Sequence, residues 1–130
     1  MFGHKNKTKF TLGAVMELGE GRIYYRLNAG MNFELLPRLH QELLEIAHRY
    51  QPSKLIFELE QLSCFSGACL ATFVGLRRHL PPEARFYMMH VNKELRGIVQ
   101  ISHLTDMMII VDDMATPEAL ELLAGACCVI

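Results

Sequence analysis

The chain predicts an α/β domain, a mixed β-sheet that is parallel over most of its width with four or so helices packed on it. Three observations predict it. Two β-type segments open the chain around the turn Leu18-Gly19-Glu20-Gly21. Strand-like and helix-like runs then alternate strictly to the end, the order a parallel sheet requires. One run, residues 55–59, is apolar at every position but Glu58, as in a strand covered on both faces.

The elements follow in order. Residues 9–17 mix β-branched and apolar side chains (Phe10, Leu12, Val15) and predict the first strand. Residues 22–27 alternate and predict its hairpin partner, followed by a loop over 28–32. Leu36, Leu39, Leu43, Ala47 and Tyr50 recur every three to four residues, with Arg38, Gln41, Glu42, Glu45 and Arg49 opposite, so this is the clearest helix. Pro37 belongs in its first turn and Gln51-Pro52-Ser53 ends it.

After the strand at 55–59, an apolar helix is expected over 67–80, stopped by Pro81-Pro82. A strand over 85–91 leads to Asn92, an N-cap for a helix from 93 to about 102. A short strand over 107–111 precedes the last helix, with Thr116 as N-cap, Pro117 at its first position and Gly125 as its stop. The order is β-β-α-β-α-β-α-β-α. Residues 1–8 are expected to be a flexible arm, 9–123 one domain and 124–130 a tail.

Composition narrows the function. At 130 residues the chain suits one domain with a real core. It is 51% hydrophobic and 21% charged, a globular balance. A net charge of −1, without a basic stripe interleaved with aromatics, argues against nucleic acid. No apolar leader opens the chain and no run is long enough to span a bilayer, so a cytoplasmic location is expected. There the four cysteines are reduced thiols. Cys64 and Cys69 are spaced too widely for the usual zinc pair and the six histidines are scattered, so no metal or cofactor is expected.

The segment 54–76, Lys-Leu-Ile-Phe-Glu-Leu-Glu-Gln-Leu-Ser-Cys-Phe-Ser-Gly-Ala-Cys-Leu-Ala-Thr-Phe-Val-Gly-Leu, carries most of the functional information. It predicts a buried strand, a turn and a helix opening at Ser66-Gly67. A helix start presents unpaired N–H groups and a positive dipole end. Such a turn can present a hydroxyl, receive a phosphate or simply be capped.

Three segments resemble the STAS domain, the module shared by sulfate transporters and bacterial anti-sigma factor antagonists. Tyr25-Arg26-Leu27-Asn28-Ala29 matches a strand ending in a Gly-x-Leu-Asp-like turn. Residues 55–70 match an apolar strand followed by a Val-Ser-Phe-Ile-Asp-Ser-Ser-Gly-Leu-like turn. Residues 91–95 and 101–108 match a helix, a Thr-Gly-Leu-like segment and a strand. The likeness covers roughly residues 9–123.

In the family's phospho-switches, the Ser after Asp in Asp-Ser-Ser-Gly is phosphorylated by a partner kinase. Here Ser66 stands at the Asp position, Gly67 at the acceptor, Ala68 next and Cys69 at the Gly. The hydroxyl is displaced by one residue. Either Ser66 substitutes as phospho-acceptor, placing charge at a helix N-terminus that tolerates it, or Ser66 only caps the helix.

The resemblance implies a non-enzymatic regulatory module that docks an anti-sigma factor or related serine kinase. Its docking surface would be the turn and helix start, with Ser63, Ser66, Gly67, Ala68 and Cys69. The alternative is a constitutive adaptor subunit of a transporter ATPase or signalling scaffold, without phosphorylation. Homo-oligomerisation is left open.

Other residues are read more plainly. Ser63 satisfies the turn backbone. Cys69 lies where a thiol pKa can fall, but no basic neighbour is visible, so an inert core cysteine outweighs an enzyme built on Cys69 or Cys64. His40 and His48, eight apart on one side of the first long helix, read as a surface pair. Asp112-Asp113 reads as a solvated loop, and nothing in the spacing pairs Glu58 and Glu60 for acid–base or metal chemistry. There is no Gly-rich phosphate loop, Gly-x-Ser-x-Gly or His-Glu-x-x-His. The ending Cys127-Cys128-Val129-Ile130 has the form of a prenylation signal, accidental if the host is a bacterium.

Overall fold

The computed structural model describes residues 12–28, 33–60, 67–101, 107–112 and 114–125. A five-stranded sheet runs in the order β1-β2-β3-β4-β5. Its strands are β1 (Gly13–Gly19), β2 (Arg22–Leu27), β3 (Lys54–Glu58), β4 (Arg85–Met89) and β5 (Met108–Val111). β1 and β2 pair antiparallel; every later pair is parallel. The helices are α1 (Leu36–Tyr50), α2 (Gly67–Leu76), α3 (Lys93–Ile101) and α4 (Pro117–Leu122). The mixed, mostly parallel sheet and the element order are those predicted.

Strand order follows chain order, so crossovers of a common hand leave their helices on one face. On that face Tyr25, Leu27, Leu55, Phe57, Phe86 and Met88 pack with Leu39, Leu43 and Ile46 of α1, Leu70 and Phe73 of α2, and Leu95 and Val99 of α3. The ring of Phe57 lies at the centre, edge-on to Tyr25 (6.3 Å), Phe73 (4.8 Å) and Phe86 (5.7 Å). The alternate residues Tyr24, Ile56 and Met89 face the other way, onto Leu122 of α4. This two-sided cover explains the consecutive apolar residues Leu55, Ile56 and Phe57 of β3.

Boundaries differ from expectation in physically simple ways. β1 begins at Gly13, where a Cβ would stand 2.6 Å from the Arg26 carbonyl oxygen. The β1–β2 turn holds Gly19, Glu20 and Gly21 at φ of 94°, 57° and 78°. α1 is entered through a 3-10 turn, Phe33–Leu35, with Pro37 in its first turn. α2 ends at Leu76 and tightens into a 3-10 turn, Arg77–His79. Pro81 disfavours helical backbone at the residue before it, and Leu80 is extended at φ −124° and ψ 155°. Arg77 donates to the carbonyls of Pro81 and Pro82 and fastens this exit. The caps are as predicted: Asn92 Oδ1 accepts from the N–H of Leu95 at 2.8 Å and Thr116 Oγ1 from that of Ala119 at 3.1 Å.

Two anchors tie the layers together. The carboxylate of Glu42, in α1, accepts from the Tyr25 hydroxyl and the N–H of Leu12. Arg22 donates to the carbonyls of Leu18, Gly19, Glu121 and Leu122, joining the hairpin to the end of α4. The expected arm at 1–8 and the tail residues 126–130 lie outside the described residues.

Candidate functional site

β3 ends at Glu58, and the N–H of Leu59 continues the ladder to the Met89 carbonyl at 3.1 Å. Glu60 begins the turn and α2 starts at Gly67, the helix opening predicted from the sequence. Ser63, Cys64 and Ser66 lie outside the described residues. Gly67, Ala68 and Cys69 form the first turn of α2, and their side chains are outside the description too. The turn connects the carboxyl end of β3 to a helix packed on the sheet. In open α/β sheets this is the end where ligands and partners are met.

The rest of α2 is oriented by burial. Leu70, Phe73 and Leu76 are buried against the sheet, Thr72, Val74 and Gly75 are half-buried, and Ala71 is exposed. The outer side is thus small and nearly uncharged. The rings of Phe57 and Phe73, 4.8 Å apart, pack the middle of α2 onto β3.

A second group converges at the same end of the sheet. Glu58 is only 4% exposed. Its oxygens lie 2.7 and 2.8 Å from His90 Nδ1. The N–H of Glu60 donates to Glu58 Oε2 at 2.9 Å. His90 follows β4 and takes φ 56°, a left-handed value uncommon for a non-glycine residue. That bend turns the ring back over β3. Glu58, Glu60 and His90 offer ligand atoms all within 4.8 Å of one another. Nearby, Tyr24 has its pKa pushed up by burial and by the charges of Glu58 and Glu60, with Arg26 opposing.

The sequence reading missed this group. Glu58 looked like an interruption in an apolar strand and Glu60 a turn residue, while His90 is 32 residues from Glu58. Parallel pairing supplies the link, since Glu58 is the register partner of Met89. The spacing of Glu58 and Glu60 pairs neither with a partner, and the structure supplies His90 for Glu58 through the sheet register.

Two other readings are refined. His48 stands ring to ring with His79 (5.5 Å), so its neighbour comes from the turn after α2, not from His40. Asp112 is exposed after β5 and pairs with Arg96 of α3, which holds its carboxyl below the ordinary range. Asp113 lies outside the described residues. A groove of about 350 Å³ runs between β5 and α4, lined by Tyr87, Ile109, Val111, Ala119 and Leu122 among others. No helix among the described residues is long and apolar enough to cross a membrane.

No family model matches the chain, and no curated protein matches it. Solved structures do. An anti-sigma factor antagonist from Mycobacterium paratuberculosis superposes with a TM-score of 0.69 at 15% identity, over 84% of this chain and 90% of that one. The Bacillus cell fate determinant SpoIIAA, in its phosphorylated form, gives 0.63 at 15% identity, over 84% and 96%. A chain of the Acinetobacter MlaFEDB complex in an ATP-bound conformation gives 0.60 at 24% identity, over 68% and 93%. The fold is therefore that of the anti-sigma factor antagonists, the STAS fold that the sequence motifs resemble.

Proposed function

We infer that this STAS-fold chain is a non-catalytic protein-binding module, a regulator or adaptor acting by docking and not by chemistry of its own. The observation that carries this is the likeness to anti-sigma factor antagonists over 84% of the chain. The proposed surface is the turn after β3 and the start of α2, with Ser63, Ser66, Gly67, Ala68 and Cys69. An anti-sigma-type factor or related serine kinase is the proposed partner, in the cytoplasm, and Ser66 is the proposed phospho-acceptor. The outward side of α2 around the exposed Ala71 supports this reading, since the helix carries no charged residue and the cores of interfaces are depleted of charge. Residues 9–123 are proposed as the functional unit.

A second reading has its own support. The MlaFEDB chain is 24% identical, against 15% for the two antagonists above. Gly67 stands where the phospho-switches carry the acceptor serine. Both features favour a constitutive adaptor of a transporter ATPase.

Intact-mass and fragmentation measurements on the protein from its native host, followed by partner capture with Ser66→Asp, separate the two. A phosphoryl group on Ser66 and loss of the partner by the variant support the switch. An unmodified chain whose variant keeps an ATPase partner supports the adaptor. A chain that captures no protein partner in either form overturns the docking function itself.

A further inference from the structure

We propose that Glu58, Glu60 and His90 form a binding site for a divalent transition-metal cation, with Zn²⁺ as its simplest probe. The inference does not depend on the docking function and uses neither Ser63, Ser66 nor the first turn of α2.

A hydrogen bond between Glu58 and His90 accounts for two of the three side chains. Glu60 brings a second carboxylate, with an oxygen within 4.8 Å of both. A divalent cation between the two carboxylates would draw favourable charge interaction from both. Arg26, the register partner of Glu58, offsets part of that charge from the neighbouring strand but brings no ligand atom. Two carboxylates and an imidazole form a donor set suited to Zn²⁺, Mn²⁺ or Fe²⁺.

The geometry needs little adjustment. Ligand atoms about 2.1 Å from a tetrahedral ion lie about 3.4 Å apart. Glu58 and His90 already face each other at 2.7 Å, and the ion would replace what they now share. Glu60 is exposed at the start of a turn, so its side chain can close the remaining distance. The Glu58 carboxylate is oriented in advance by the Glu60 N–H at 2.9 Å, the kind of support that fixes ligating carboxylates. His90 is 45% exposed at its side chain, which leaves an entry path and open coordination positions. The site lies at the carboxyl ends of β3 and β4, where parallel sheets gather ligands.

The test is calorimetric titration of ZnCl₂ into the full chain, with His90→Asn, Glu60→Gln and His48→Asn alongside. Asn keeps the left-handed backbone of residue 90 at little strain. Glu60 is exposed, so its variant folds even if a change at His90 disturbs the β4 exit. One ion bound by the wild type, with affinity reduced about tenfold or more in both His90→Asn and Glu60→Gln and unchanged in His48→Asn, supports the site. Absence of binding overturns it. Wild-type affinity in either of the two variants also overturns it, since the ion would then sit elsewhere, for instance on the thiols.

Discussion

The hydroxyl of Tyr25 donates to Glu42 Oε1 across 2.9 Å, joining the second strand to the first long helix through a carboxylate only 5% exposed. A carboxylate so buried must be held by donors, and the N–H of Leu12 is another, at 3.0 Å. The bond ties the antiparallel edge of the sheet to the helix layer. Tyr25→Phe removes the donor and keeps the ring, and should cost about 1–3 kcal/mol in a denaturant melt. An unchanged midpoint would show that Glu42 finds a replacement donor.

The same phenol governs stability at high pH. Burial first, then the charge and hydrogen bond of Glu42, push the Tyr25 pKa far above its ordinary 10.0, and burial does the same, less strongly, for Tyr24. The folded protein therefore keeps both phenols protonated where the unfolded chain releases them. Above pH 10 the unfolded state binds fewer protons, so stability is full below that pH and falls as pH rises through it. Tyr25→Phe should flatten this fall. Parallel curves for the two proteins would exclude Tyr25 as its source.

Arg22 should control the docking of α4. Its guanidinium donates to the Glu121 and Leu122 carbonyls at 3.1 and 2.9 Å, at the helix end where carbonyls have no partner within the helix. Arg22→Met keeps the stem and removes the donors, at a cost of about 1.5–3 kcal/mol for charge-assisted bonds. Amide exchange should accelerate in α4 more than in α1, and uniform acceleration would count against a local anchor.

Gly21 is predicted to be intolerant of any side chain. It holds φ 78°, and a Cβ there would stand 2.4 Å from Ser53 Oγ. Gly21→Ala should destabilise by about 1–3 kcal/mol, and a thermal midpoint equal to the wild type's would refute this account of the turn.

The Arg96–Asp112 pair is the contrasting case. Its side chains are 35% and 61% exposed, so solvent screening removes most of its worth. Asp112→Asn should leave the thermal midpoint unchanged within error, and a clear drop would show that the loop after β5 depends on this contact.

Much of this protein is determined by sequence alone. The period-3.6 pattern of α1, the alternation of β2, the apolar run of β3 and the caps at Asn92 and Thr116 are local properties. Each depends on residues within one or two turns of the chain, so each is legible without knowing what packs on it. The helix opening at Gly67 is legible for the same reason. Tertiary structure alone decided the rest. The helical period places Glu42 on the solvent side of α1, and only its contacts with Tyr25 and Leu12 make it a buried acceptor. Glu58 and His90 meet because β3 and β4 run parallel in register and the chain bends left-handed at His90. His48 meets His79 because α1 packs beside the exit of α2. Pairings across tens of residues depend on strand register and helix placement, which the whole core sets and no local pattern encodes.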